Sequence, residues 1–204
     1  MRILIISLIL VFWATLVGAV PTQIVGSGVT MNGGSIASGG TLLPSCTIEQ
    51  DECEGTNAGS YSHASTPSRV YTASRIEYVG ATGTICSGEV FVTNIGGTTE
   101  SSTFSIWGEA AEEPNSADIR GTSTSQPHTT IVDDAWWTFE LDAPVTTGDS
   151  LFLVMESTGV ESISLKIASD CEASPDEDIY RSADGTNWTL ESNTASLYFN
   201  FYSE

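Results

Sequence analysis

Residues 136–155 read WWTFELDAPVTTGDSLFLVM, and this stretch decides the fold. From Trp136 to Leu141 the side chains alternate. Trp137, Phe139 and Leu141 fall on one face, and Trp136, Thr138 and Glu140 on the other. A period of two marks a strand buried on one side. Pro144 and Gly148-Asp149 then interrupt the run, as turn residues do. Residues 151–155 are apolar at every position, the pattern of a central strand covered on both faces.

The same rhythm recurs on either side. Residues 74–79 alternate with Ile76 and Tyr78 inward. Residues 89–95 set Val90 and Val92 against Phe91, Thr93 and Ile95, and Gly96-Gly97 ends the run. Residues 103–107 bring Phe104 and Ile106 to one face. Residues 162–168 point Ile163, Leu165 and Ile167 in, with Ser164 and Lys166 out. The chain closes with Leu197, Phe199 and Phe201 inward. No window holds an amphipathic helix. The best candidate for a single helical turn is 108–118, which Pro114 limits. Short apolar runs separated by turn signals predict an all-β protein. The expected architecture is a two-sheet antiparallel β-sandwich, jelly-roll-like, over residues 61–204.

The first 60 residues read differently. Arg2 is followed by an apolar run over 3–12, broken only by Ser7 and continuing through Trp13 and Leu16 to Val17-Gly18-Ala19. This is the pattern of a secretory signal over 1–19, cleaved after Ala19. An uncleaved anchor is the rival reading, and it lacks a stop-transfer flank. Secretion, or display at a cell surface, follows, with no membrane association after cleavage. Residues 20–45 are rich in Gly, Ser and Thr, and 46–60 form a polar loop beginning at Cys46; together 20–60 make an extended N-terminal arm. Residues 20–45 read either as a flexible linker or as a strand donated to a neighbouring copy.

The 204 residues carry 26 acidic side chains against 6 Lys plus Arg, a formal charge of −20, and Lys166 is the only lysine. Nucleic acid is excluded as a partner, because phosphate recognition needs a basic patch. The acidity suits either a self-repelling soluble surface or divalent cations. The four cysteines, Cys46, Cys53, Cys86 and Cys171, suggest disulfides in an exported chain. Cys46 and Cys53 are the natural local pair, leaving Cys86 with Cys171, although three pairings are formally open. That second bridge would close a loop worth about 4 kcal/mol in chain entropy. A zinc site is the rival reading, without CxxC spacing to support it.

Four segments carry a resemblance: RVYTASRIEYVG (69–80), WWTFELDAPVTTGDSLFLVM (136–155), DIYRSADGTNWTL (178–190) and SLYFNFY (196–202). In order and pattern they are similar to extracellular jelly-roll modules of bacterial, archaeal and phage surface proteins. These are known as choice-of-anchor or carbohydrate-binding-like sandwich domains. The likeness covers residues 61–204 and implies a sandwich exposed outside the cell. Such modules usually accompany larger proteins, a point at which this chain departs from them.

No catalytic residues are expected, and the chain reads as a non-enzyme. His63 and His128 are the only histidines. No G-x-S-x-G elbow is present, and His128, in SQPHTT, reads as a solvated loop histidine. The acids cluster in turns such as Glu112-Glu113, Asp133-Asp134 and Asp176-Glu177-Asp178, not in a fixed pair on rigid strands as a glycosidase requires. The acidic segment 170–184 offers Asp170, Asp176, Asp178 and Asp184 as candidate ligands for a structural calcium. Trp107, Trp136, Tyr180 and Trp188 fall on outward phases or in turns. They are candidate ring platforms for sugar C–H faces. Asn187-Trp188-Thr189 also spells a glycosylation acceptor. Two functions follow. One is a secreted module binding glycan or another surface polymer. The other is a structural subunit of an extracellular filament, cell surface or virion, self-assembling through residues 20–45.

Overall fold

The computed structural model describes residues 47–51, 57–64, 66–168 and 178–204, all within a unit spanning Leu42–Glu204. The signal segment, the 20–45 arm, Cys46, Cys53, Asp170, Cys171 and Asp176 lie outside the described residues. Cys86 is disulfide-bonded, to a partner that also lies outside them. No helix long and apolar enough to cross a membrane occurs among the described residues.

The strands run β1 (Thr47–Asp51), β2 (Asn57–His63), β3 (Tyr71–Glu77), β4 (Gly83–Ile95), β5 (Ser101–Ala110), β6 (Glu113–Thr122) and β7 (Gln126–Pro127). They continue as β8 (Ala135–Val145), β9 (Ser150–Ser157), β10 (Ile163–Ala168), β11 (Ile179–Ser182), β12 (Thr189–Ser192), β13 (Ser196–Leu197) and β14 (Phe199–Ser203). They form two antiparallel sheets. The front sheet is organised around the long β4. One edge of β4 pairs with β8, from Gly83↔Val145 to Val92↔Ala135. Its other edge takes β14 and then β10, and β1, β2 and β13 extend this side. The back sheet runs β12-β11-β3-β9-β5-β6, with β7 added to β5.

The alternating residues of both sheets meet between the layers. Phe104 of β5 stacks on Phe139 of β8 at 4.2 Å and 11°, and meets Trp137 edge-on at 4.8 Å. Ile76, Ile106, Leu151, Leu153 and Met155 from the back sheet join Val90, Val92, Leu165, Phe199 and Phe201 from the front. Burial of each large side chain contributes about 1.5–3 kcal/mol. This is the expected β-sandwich, but it begins before residue 61: β1 and most of β2 lie in the stretch read as a polar loop, paired with β14 and β10. The inward sets expected from Ile76 and Tyr78, Phe104 and Ile106, and Trp137, Phe139 and Leu141 are all buried.

Strand β9 lies between β3 and β5, which explains its unbroken apolar run. Leu151, Leu153 and Met155 face the central core. Phe152 and Val154 face the other way, into a second cluster with Ala73, Trp107 and Tyr180.

The expected helical turn at 108–118 is instead the β5–β6 hairpin. Ala110 pairs with Glu113 across Ala111 and Glu112, whose φ values are 54° and 66°. Positive φ at both positions belongs to a type I′ turn, which usually announces itself with Asn-Gly. Ala-Glu carries no such signal.

Candidate functional site

Inward pointing of Trp137 and Phe139 forces Trp136 outward. Likewise Val90 and Val92 leave Phe91 on the outer face of β4, and Leu165 leaves Lys166 on the outer face of β10. Register then assembles these residues. Phe91 is the direct cross-strand partner of Trp136, and their rings meet edge-on at 5.4 Å. Trp136 stacks on Tyr198 at 4.9 Å and 27°. The Lys166 ammonium lies 4.3 Å from the Tyr198 ring centre and 5.3 Å from that of Phe91, within cation–π range.

Beside these rings is an open cleft of about 410 Å³, lined by Gly59, Ser60, Phe91, Thr93, Asp134 and Lys166. Asp133 accepts the Ile95 N–H at 2.8 Å, which leaves Asp134 as the acid of the cleft. Further along the same face, Glu89 accepts hydrogen bonds from Asn200 Nδ2 at 2.7 Å and the Tyr202 hydroxyl at 2.9 Å. Burial and this bond to Glu89 push the Tyr202 hydroxyl up to about 12. The outer face therefore combines aromatic surface with a cation, a carboxylate and hydroxyls. Trp136 is 37% exposed and is the one aromatic among the exposed large hydrophobics of the described residues.

The other three expected platform residues sit on the outer face of the back sheet. Trp107 and Trp188 meet edge-on at 5.9 Å, and Tyr71 lies 6.5 Å and 6.3 Å from them. Tyr180 meets Phe152 at 5.7 Å. Trp107 is 6% exposed and Tyr180 7%, which corrects the reading of these two as open rings. Trp188 is half-buried in the same cluster, away from Trp136.

The turn before β12 is tied by Asp184, whose carboxylate accepts the backbone N–H groups of Thr186 and Asn187 at 2.9 Å and Asn187 Nδ2 at 2.7 Å. These amides, Asn187 first, hold the Asp184 carboxyl well below the usual range. Gly185, at φ 70°, lies against the Tyr71 ring. Asp178 sits 3.8 Å from Arg75. The two described members of the calcium set thus answer to different partners. The amide of the Asn187 acceptor motif is bound to Asp184.

The histidines depart furthest from expectation. His128 is a buried residue, not a solvated loop histidine, and so is His63. A chain of hydrogen bonds joins them through the back sheet. His63 Nδ1 is 2.7 Å from Thr72 Oγ1, and His63 Nε2 is 2.6 Å from Ser157 Oγ. Ser157 Oγ is 2.6 Å from Ser102 Oγ, which is 2.9 Å from His128 Nε2. Burial pushes His63 down to about 3, and a charge on His128 acts the same way. Burial also lowers His128, against the opposing pull of Glu100 and Glu161.

Ser102, His128 and Glu161 follow the order hydroxyl, imidazole, carboxylate. However, Ser102 is 1% exposed on a strand, and its hydroxyl is already shared with Ser157. A nucleophile must reach an incoming carbonyl, and this one is sealed. Phe91, Tyr198 and Lys166 were missing from the sequence-based site. The outward phase of Lys166 was readable, alternation alone does not choose a face for Phe91, and their meeting with Trp136 depends on register. In comparison with known proteins, the chain matches no family model and no curated protein.

Proposed function

We propose that this chain is a secreted, non-enzymatic β-sandwich module that binds glycan or another cell-surface polymer on the outer face of its front sheet. The observation that carries the reading is the group Trp136, Tyr198 and Phe91 beside the cleft holding Lys166 and Asp134. A pyranose presents an apolar C–H face and a rim of hydroxyls. The exposed side of Trp136, backed by the buried Tyr198 ring, takes the first, and ammonium, carboxylate and serine hydroxyl take the second. The net charge of −20 favours neutral polymers over polyanions. The resemblance to extracellular carbohydrate-binding-like domains points the same way.

Retention on insoluble cellulose, chitin and xylan, and migration in gels containing soluble glucans, test the proposal. Trp136→Ala should reduce binding by about tenfold or more, equivalent to losing one good ring contact of about 1.4 kcal/mol. Binding that survives both Trp136→Ala and Phe91→Ala unchanged would remove this face from consideration.

A further inference from the structure

We infer that Glu100, His128 and Glu161 form a binding site for a divalent transition cation of the zinc class. One ligand atom from each lies within 4.8 Å of the others. His128 opens a short 3-10 turn after β7, Glu100 immediately precedes β5, and Glu161 lies just before β10. The site is independent of the outer face of the front sheet.

Two observations converge on a ligand. The first is His128 itself. Its ring is buried, and its Nδ1 has no hydrogen-bond partner, a condition that a native structure rarely leaves unanswered. The separation from Nδ1 to Glu161 Oε2 is 3.6 Å, too long for a hydrogen bond. Two ligands about 2.1 Å from a tetrahedral ion stand roughly 3.4 Å apart, so the spacing suits coordination.

The second is the preparation of the carboxylates. Glu100 accepts the Val160 N–H at 2.6 Å and the Glu161 N–H at 2.9 Å. Glu161 accepts the Thr99 N–H at 2.8 Å, the Glu100 N–H at 3.0 Å and the Thr99 hydroxyl at 2.6 Å. Each acid is clasped by the other's loop. A Cβ at Gly159 would strike the Glu100 carboxylate, and one at Gly97 the Glu161 carboxylate; glycine at both places lets them approach. A carboxylate has about four acceptor positions. Glu100 uses two of them here, so coordinating capacity remains, and the backbone donors supply the outer-shell orientation that metal ligands need.

The buried chain completes the argument. With Nε2–H of His128 donating to Ser102, Ser102 donates to Ser157, and Ser157 donates to His63 Nε2. His63 Nδ1–H then donates to Thr72. Every member is satisfied, and His128 Nδ1 is left as a bare lone pair facing two carboxylates. A cation resolves that conflict. The opposite ordering places a proton on His128 Nδ1, so occupancy of the site selects the tautomer of His63 as well. One imidazole with two carboxylates suits zinc-class ions, whereas calcium prefers six to eight oxygens.

The test uses the tag-free protein, stripped with chelator and titrated with Zn²⁺, Mn²⁺ and Ca²⁺ by calorimetry. In parallel, the imidazole ¹⁵N resonances are followed. The expected result is one saturable Zn²⁺ site, with Ca²⁺ weaker by about 100-fold or more. His128 Nδ1 should move to a metal-bound position while Nε2 stays protonated. His128→Phe and Glu161→Gln should each weaken Zn²⁺ binding by about 100-fold. Zn²⁺ binding that leaves the His128 resonances of the wild-type protein unmoved would assign the ion elsewhere and overturn the inference. Absence of saturable Zn²⁺ binding would do the same, whether or not either variant folds.

Discussion

Acid should destabilise this protein through His63, and by an amount large enough to measure. The ring is fully buried, and both its nitrogens are bonded to hydroxyls, with no carboxylate beside it to offset a charge. Its folded value falls from 6.5 to about 3. A base whose folded value is depressed binds its proton more readily in the unfolded chain. Stability therefore rises with pH between about 3 and about 6.5, and is lost as pH falls through that window. Each pH unit costs about 1.4 kcal/mol, so acidification from about pH 6.5 to about pH 4 removes roughly 3 kcal/mol. That is a large part of a typical stability of about 5–15 kcal/mol.

One effect has the opposite sign. Protonating the acids of a chain at −20 relieves self-repulsion and stabilises the fold. The measurement must be a difference. Urea unfolding followed by tryptophan fluorescence, in pH steps from neutral down to about pH 4, is compared for the wild type and His63→Gln. Glutamine keeps a hydrogen-bonding side chain that does not titrate. The carboxylate contribution is common to both and cancels. The wild type should lose about 1.4 kcal/mol per pH unit relative to the variant below about pH 6. A flat difference, or a His63 ring resonance titrating near 6.5, would show that the ring charges in the folded state and would refute the reasoning.

Two further outcomes follow from packing. Gly88→Ala places a Cβ 2.6 Å from Phe139 Cζ and 3.0 Å from Phe201 Cδ1. This overpacking should cost about 1–3 kcal/mol in the same urea assay. Trp107→Ala opens the back-sheet cluster and should cost about 3–5 kcal/mol while leaving polysaccharide retention unchanged, whereas Trp136→Ala, which loses its contacts with Phe91 and Tyr198, should cost only about 1–2 kcal/mol and reduce retention.

Most of the sandwich was legible because it rests on local alternation. Ile76 and Tyr78, Phe104 and Ile106, and Phe199 and Phe201 announce an inward face without reference to any other strand, whereas at 89–95 both faces are apolar enough that alternation alone does not choose between them. The doubly apolar 151–155 run even predicted the central place of β9. Illegible were features set by pairs far apart in sequence. The Ala111-Glu112 turn has backbone angles normally advertised by glycine or asparagine. His128 lies in a polar context, SQPHTT, yet its ring is enclosed because Ser102, 26 residues away in sequence, offers it a hydroxyl that is itself bonded to Ser157 on the neighbouring strand. Polar neighbours in sequence suggested solvent, whereas polar partners in space made burial affordable.

The same distinction decides which aromatics remain free to act. Both sheets carry rings on their outer faces, so ring count alone does not separate them. The back sheet covers its rings: the Asp184-tied turn brings Gly185 against Tyr71 and leaves Trp188 packed on Trp107. The apolar surface there is spent on stability. On the front sheet the Trp136 ring lies flat on Tyr198 and still presents 37% of its surface. Lys166, placed over Tyr198 and Phe91, sets a charge at the edge of that surface. An apolar ring held rigid against its neighbours loses little conformational entropy on binding. A fixed, half-open ring beside a polar cleft therefore has more to gain from a ligand than any ring on the back sheet.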